Sequence, residues 1–263
     1  MTSDLYNHPF YYDLAFGWDQ TEEIKGLGKI WEKHYPLEVK SVLEPACGTG
    51  RVLVALARQG YFALGYDINP NMVEFAREKL LKEGVEKKAK VAEGDMVNFT
   101  WGEKFDVAVN LINSLGYLLD PELVKNHLKT TATCLKDGGL YVIQLSFRIP
   151  QEELPKQQTW FEQKEGVSIE TTWQVLKEDQ EKNLSHHYCI MKIKERGVEG
   201  KLEESHTMAS WTYPSFKKIL LQTRTWKLAA IYNEKFQEVE KEKTIDGTQG
   251  NLYLVLQKGE SIN

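Results

Sequence analysis

From residue 40 to 146 the chain alternates two hydrophobic rhythms. Short β-branched runs, apolar at almost every position, are followed by stretches whose apolar residues recur every three or four places. Val39–Leu43 reads as a first strand ended by Glu44-Pro45, and Val52–Ala57 as a helix closed by Gln59-Gly60. Phe62–Tyr66 is a second strand. Asn69-Pro70 then opens a helix, because Asn caps and Pro at the first helical position lacks only a donor that would be orphaned anyway. Met72, Phe75, Ala76 and Leu80 give that helix an apolar stripe, which Glu83-Gly84 ends. Lys88–Ala92 and Phe105–Leu111 are a third and a fourth strand. Asp120-Pro121-Glu122 repeats the cap-plus-proline signal for a helix to about Leu135, and Asp137-Gly138-Gly139 breaks it before a fifth strand, Leu140–Leu145. Strand–helix alternation at this spacing predicts an α/β fold with right-handed crossovers and a mostly parallel sheet covered on both faces.

After Phe147 the rhythm changes. Thr159–Gln163, Val167–Leu176, Ser185–Lys194 and Lys201–Trp211 read as strands with no helix between them. In Val167–Leu176, apolar and polar residues alternate one by one, the mark of antiparallel pairing with one wet face. Residues 147–211 are therefore expected to form an antiparallel β insertion after the fifth strand. Tyr213-Pro214 opens a helix through Leu221, and Leu228–Tyr232 and Asn251–Gln257 are the last strands. Asn233–Lys243, dense in charge of both signs, reads as a solvated loop or strand end.

Composition narrows the class. The 263 residues are 41% hydrophobic and 11% aromatic, enough to bury a core and exclude a disordered or fibrous chain. Thirty-eight acids against 33 Lys and Arg leave a net charge of −5, which argues against a surface built to neutralise nucleic-acid phosphates or anionic lipid. No run approaches a membrane span, and the N-terminus shows no secretory signal. Cys47, Cys134 and Cys189 are odd in number and widely spaced, so neither a disulfide framework nor a zinc site is expected, and a cytoplasmic location fits.

The chemistry concentrates in Val42-Leu43-Glu44-Pro45-Ala46-Cys47-Gly48-Thr49-Gly50-Arg51-Val52. A strand enters a turn with glycines at alternate positions, where backbone can approach a ligand closely, and the chain leaves as a helix. Nineteen residues past Gly48, at the end of the second strand, Asp67 suits the paired hydroxyls of a ribose. A dinucleotide site reads G-x-G-x-x-G, but here Leu53 occupies the third glycine's place. Glu44, just before the loop, would repel phosphates and attract an ammonium group. Asp95, followed by the apolar Met96, is a further acid after the third strand. Together these acids describe a cationic amino-acid nucleoside and not a pyrophosphate.

The arrangement resembles the class I S-adenosylmethionine-dependent methyltransferases. Glu44-Pro45-Ala46-Cys47-Gly48-Thr49-Gly50 matches their first motif, with Ala46 where glycine is commoner, and Tyr66-Asp67-Ile68-Asn69-Pro70-Asn71-Met72 matches the second. Gly94-Asp95-Met96 and Phe105-Asp106-Val107 match the third and fourth. The resemblance implies a Rossmann-like, doubly wound, seven-stranded mostly parallel sheet. It also implies that Glu44, Ala46, Cys47, Gly48 and Gly50 hold the methionine portion of S-adenosylmethionine and Asp67 the ribose. Ile68 and Met72 would flank adenine, Asp95 would meet its amino group, and Met96 would pack on the ring. Leu111, at the end of the fourth strand, would border the same ligand. S-adenosylhomocysteine would be the product, and no metal is implied.

Residues 6–19 are unusually aromatic and precede the first strand. In style they resemble the N-terminal lid of small-molecule N-methyltransferases of the amino-sugar and glycine type. Residues 1–36 are thus expected to be a helical lid bringing Tyr12 and Trp18 to the cofactor. Residues 37–146 and 212–263 would be the cofactor-binding domain, and the insertion the acceptor side. Tyr12, His186 and His206 are candidates for a catalytic group. His186 and His187 are adjacent on a strand and face opposite ways, and His206 shares a face with Met208 and Ser210. Trp160, Trp173 and Trp211 would form the insertion's core or the acceptor wall. The function this predicts is methyl transfer to a small-molecule acceptor, an amine first, by in-line displacement. Nucleic-acid methylation and an NAD-type oxidoreductase are the alternatives, and a homodimer stays open.

Overall fold

The computed structural model describes residues 5–149, 154–240 and 245–259, and within them the two rhythms become two sheets. Expectations falling on 1–4, 150–153, 241–244 and 260–263 lie outside the described residues. Helices α1 (Pro9–Ala15) and α2 (Thr21–His34) precede β1 (Ser41–Pro45), α3 (Arg51–Arg58), β2 (Phe62–Asp67), α4 (Pro70–Lys82), β3 (Ala89–Glu93) and β4 (Phe105–Asn110). A 3-10 turn at Ser114–Tyr117 leads to α5 (Pro121–Cys134) and β5 (Leu135–Ser146). Then come β6 (Lys156–Lys164), β7 (Val167–Asp179), β8 (Leu184–Glu195) and β9 (Val198–Ala209), followed by α6 (Tyr213–Thr223), β10 (Trp226–Tyr232) and β11 (Asn251–Lys258).

The first sheet has the order β10-β11-β5-β4-β1-β2-β3, the second β6-β7-β8-β9. Strands β1 to β5 pair in parallel, and β11 runs against both β5 and β10. The chain therefore winds outward from β1 to β3, returns, and continues through β4 and β5 on the other side. This leaves a crevice between the carboxyl ends of β1 and β4, where open α/β sheets bind ligands.

Local signals explain the helix starts. Asn69, Asp120 and Thr212 each accept backbone N–H bonds at the heads of α4, α5 and α6, with proline at the first or second helical position. Helix α3 differs, opening from Gly50 in the left-handed region (φ 74) with no side-chain cap. One expected boundary moves. Strand β5 starts directly after α5, because Gly138 (φ 72) absorbs a bulge and pairing skips from Phe105↔Leu135 to Val107↔Leu140. The insertion strands also run longer than their alternation suggested, since polar residues continue the ladders past the buried part.

One face of the large sheet buries α2 and α3, with Leu27, Ile30, Trp31 and Leu53 in the core, and the other buries α5 and α6. A third cluster joins α1 to the insertion, where Ala15 and Phe16 meet Ile169, Cys189 and Met191. Lys79–Asp13 (2.5 Å) and Asn71 to Asn7 (3.0 Å) tie α1 and the turn before it to α4, so this segment bridges both sheets.

Asp106 closes the opposite end of the sheet. Its buried carboxylate accepts from Lys40 N, Ser41 N, Ser41 Oγ and Tyr35 Oη, and pairs with Lys136 at 2.7 Å. Those donors outweigh the burial that opposes them and hold the carboxyl at about 2. The fourth sequence motif is thus a fastening between the start of β1 and β4. Stability from Asp106 is fully present above the ordinary carboxyl value of 3.8 and is lost as pH falls toward 2. Asp106→Ala orphans several buried donors, and urea denaturation at pH 7 should show a loss of about 2–4 kcal/mol.

Candidate active site

The loop leaving β1 runs along the crevice. Ala46 (φ 55), Gly48 (φ 51) and Gly50 (φ 74) all adopt left-handed backbone, which makes the alternate glycines necessary and leaves Ala46 mildly strained. Cys47 N donates to Tyr66 O (3.1 Å), Gly48 N to Asp67 Oδ2 (2.8 Å) and Gly50 N to Cys47 O (3.0 Å). A Cβ on Gly48 would meet nothing within 4 Å, so the loop's outer side is open to a ligand. A Cβ on Gly65 would lie 2.7 Å from Cys47 Sγ and from Leu53 Cδ1. That glycine in β2, which the sequence reading passed over, is what lets the loop lie flat on its neighbour.

A cleft of about 1030 Å³ rises from this loop to the insertion sheet. At its base Glu44 is 5% exposed, and its Oε2 has no hydrogen-bond partner. Burial pushes its carboxyl well up, Asp67 and Glu23 push the same way, and Arg51 opposes them. Glu23, on α2, accepts from Tyr253 Oη (2.6 Å) and is itself raised by burial. Arg51 lines the same cleft beneath Trp18, whose ring centre lies 5.6 Å from the guanidinium carbon. Across the crevice, Ile112 (φ 55) and Asn113 (φ 54) hold left-handed backbone after β4. Gln144 Oε1 accepts from Ile112 N, and Asn113 Oδ1 accepts from Ser146 N, which fixes this strained corner.

The upper wall is aromatic and belongs to α1 and the insertion. Tyr12 stacks near Phe16 (4.7 Å between centroids) and Tyr6 (5.3 Å), and Trp160, Trp173 and Trp211 all line the cleft. His187 lines it too. Trp173 Nε1 donates to His187 Nδ1 (3.0 Å), and His187 Nε2 lies 2.6 Å from Ser185 Oγ. An indole can only donate, so the neutral imidazole accepts at Nδ1 and carries its proton on Nε2, toward Ser185. Burial, with the charges of His206 and His186, pulls His187 down to about 4. Its basic nitrogen is occupied, and it is no general base at neutral pH.

The structure separates the expected site residues into groups. Tyr12, Trp18, Glu44, Ala46, Cys47, Gly48 and Leu111 line the one cleft. Gly50 is turned inward against Ala76 (3.1 Å from its would-be Cβ), and Met72 is buried. Asp67 takes Gly48 N on one oxygen and Asn69 N on the other (2.9 Å), so it stands behind the loop at the tip of β2. Ile68 is exposed beside it. Asp95 is occupied by its own turn through Val97 N, and Met96 packs on the core while its carbonyl meets His127. Of the candidate catalytic residues, Tyr12 alone borders the cleft. His186 turns away and meets Thr207, and His206 is buried against Trp173 (5.1 Å, stacked). Arg51 and Ser185 were missed, and His187 was considered only as one of three histidines able to act as a base. A sequence signal existed for Arg51, which follows Gly50 directly, whereas Ser185 and His187 depend on how β8 registers with β7 and β9.

Residues 42–139 match a family described as a methyltransferase domain. That stretch is similar to a methyltransferase domain. It contains the glycine loop, Asp67, Asp95 and the strained corner after β4. Among curated proteins, the chain is similar to the dTDP-3-amino-3,4,6-trideoxy-alpha-D-glucopyranose N,N-dimethyltransferase of Streptomyces venezuelae, 29% identical over 141 residues. That alignment covers 52% of this chain and 56% of the relative, little more than half its length. An S-adenosylmethionine-dependent methyltransferase of Clostridium acetobutylicum superposes with a TM-score of 0.74 at 19% identity, covering 95% of this chain and 99% of that one. The sugar N-methyltransferase KedS8 of a Streptoalloteichus species gives 0.74 at 19% identity, covering 99% and 95%. At these identities the likeness is one of fold, and it includes the second sheet as well as the first.

The tautomer of His187 is directly observable. Nitrogen-15 NMR of the ring should show a proton on Nε2 and no titration between pH 8 and 5. Trp173→Phe, which frees Nδ1 but leaves the ring buried, should move titration only part of the way up from about 4.

Proposed function

We propose that the protein transfers a methyl group from S-adenosylmethionine to a small-molecule amine. When bound, the cofactor supplies a methyl carbon activated by its sulfonium. The observation that carries this reading is Glu44, a buried carboxylate with an unpartnered oxygen at the glycine loop. Such a group is costly to bury alone, suits an ammonium, and would repel the pyrophosphate of a dinucleotide. Asp67 keeps lone pairs beyond those used by Gly48 and Asn69, and these can accept from ribose hydroxyls.

The remaining residues bind, orient and exclude water. Rings of Tyr12, Phe16 and Trp18 close the cleft over the loop, and aromatic faces favour a cation by roughly 0.5–2 kcal/mol each. The aromatic wall and the Ser185 hydroxyl of the insertion would hold the acceptor. A neutral amine brings its own lone pair, so positioning within about 3–3.5 Å of the methyl carbon does most of the work. The neutral, engaged His187 agrees with a reaction that needs no strong base. The amino-sugar substrate named for the Streptomyces venezuelae relative makes amines of that kind the first acceptors to try.

In this reading α1 and its flanking residues act as a lid, residues 37–146 and 212–263 hold the cofactor, and 147–211 face the acceptor. The net charge of −5 disfavours a nucleic-acid acceptor. No helix among the described residues is long and apolar enough to cross a membrane, and a cytoplasmic enzyme is the reading adopted.

An amine screen that detects S-adenosylhomocysteine should find turnover; none with any acceptor would overturn the proposal. In calorimetric titrations Asp67→Ala should weaken S-adenosylmethionine binding about 10-fold or more. Affinity should also rise with pH. Glu44 has a raised carboxyl value, so the protonated form persists upward from acid pH, and only the ionised form attracts the ammonium. Glu44→Gln should abolish that dependence.

A further inference from the structure

The alternation of β7 breaks where the strand borders the cleft. Val167, Ile169, Trp173 and Val175 face α1 or the cleft, and at a period of two Lys177 would be next on that face. A bulge between Val175 and Lys177 changes the phase: Val175 pairs with His187, Lys177 with His186, and Glu178 with Ser185. His187 and Ser185 line the cleft, whereas His186 turns away to Thr207. The bulge therefore sends Lys177 outward and brings Glu178 in, and Glu178 is a lining residue of the cleft. Leu176, the extra residue, is left 45% exposed. A bulge that re-aims a side chain beside a site is a built feature of a strand, and here the side chain it delivers is a carboxylate.

Three acids line the cleft. Glu44 stands at the glycine loop, and Glu234 accepts from Asn251 N (3.2 Å) and Nδ2 (2.9 Å) on the large sheet. Glu178 alone belongs to the insertion. Ser210 Oγ donates to its Oε1 (3.1 Å), and Arg148 in turn donates to the Ser210 carbonyl (3.4 Å), which anchors the carboxylate at one oxygen. A carboxylate has about four acceptor sites, and among the described residues Ser210 fills one of them. Register partners stand about 4.5–5.5 Å apart at Cβ, so this half-buried acid sits beside Ser185, whose hydroxyl is held by His187. Trp160, Trp173 and Trp211 complete the wall. An acid with spare acceptor capacity in an aromatic wall suits a group that brings both positive charge and N–H donors. We propose that Glu178 receives the nitrogen of the methyl acceptor, drawing its ammonium form into the cleft and accepting an N–H, and is thereby the residue that selects amines over their hydroxyl counterparts. This rests on the reading of the protein as an amine methyltransferase and adds to it the group that chooses the acceptor. A hydroxyl offers the same carboxylate one hydrogen and no charge, and the charge-assisted bond is the stronger.

The test uses the full chain, S-adenosylmethionine and the amines of the acceptor screen, beginning with glucosamine. Each amine is paired with the molecule that carries a hydroxyl in its place, as glucose does for glucosamine, tested as an inhibitor. Glu178→Gln keeps the shape of the side chain and should lower kcat/KM for an amine about 10- to 100-fold, chiefly through KM. Inhibition by the hydroxyl partner and the calorimetric affinity for S-adenosylmethionine should stay as in the wild type. Glu178→Asp, which keeps the charge, should recover part of the loss. The assignment is overturned if folded Glu178→Gln keeps the wild-type KM, or if it weakens the amine and its hydroxyl partner alike. Should the wild type bind S-adenosylmethionine and turn over no amine, the amine reading falls and the assignment with it, whereas amine turnover indifferent to Glu178→Gln removes the assignment alone.

Discussion

A carboxylate held out of water with nothing to bond is the constraint around which the crevice is organised. Glu44 lies near the end of β1, where burial raises its proton affinity and Asp67 and Glu23 add to the rise. Arg51 is the cation that opposes them. A cluster of this kind destabilises the empty fold, and its presence is understandable if binding a cation relieves it. The rest of the site is arranged to keep that cluster in place. Gly65 lets the loop lie on β2, Asp67 receives its Gly48 amide, and Gln144 locks the strained corner opposite.

The fold supplies the location. Strand order reverses between β1 and β4, so two loops diverge at that point and leave a groove which neither helix layer covers. Asp106 fastens the other end of the same two strands, well away from the groove. The second sheet and α1 then roof it. Because α1 buries Ala15 and Phe16 on the insertion yet is bound to α4 by Asp13 and Lys79, α1 and the insertion sheet are one packed body.

Much of this was legible in the chain. Cap-plus-proline signals placed α4, α5 and α6, and one-by-one alternation exposed the antiparallel sheet. The glycine loop with Glu44 marked one wall of the crevice. What stayed hidden depends on contacts between distant residues. The separate stations of Asp95 and Met72 reflect how α4 and the turn after β3 pack, which spacing does not encode. The partner of His187 is a tryptophan on the neighbouring strand, and only the register Val175↔His187 brings Trp173 alongside it. Arg51 could be seen beside Gly50, but the Trp18 ring over its guanidinium is a property of side-chain direction.

The central claim is electrostatic, and its most direct test compares ligands of opposite charge. S-adenosylmethionine and NADH are titrated into the wild-type protein and into Glu44→Gln. If the crevice is built for a cationic nucleoside, the wild type binds S-adenosylmethionine in preference, and neutralising Glu44 weakens that ligand while easing the entry of NADH. Tighter binding of NADH by the wild type, or an S-adenosylmethionine affinity indifferent to Glu44→Gln, would contradict it.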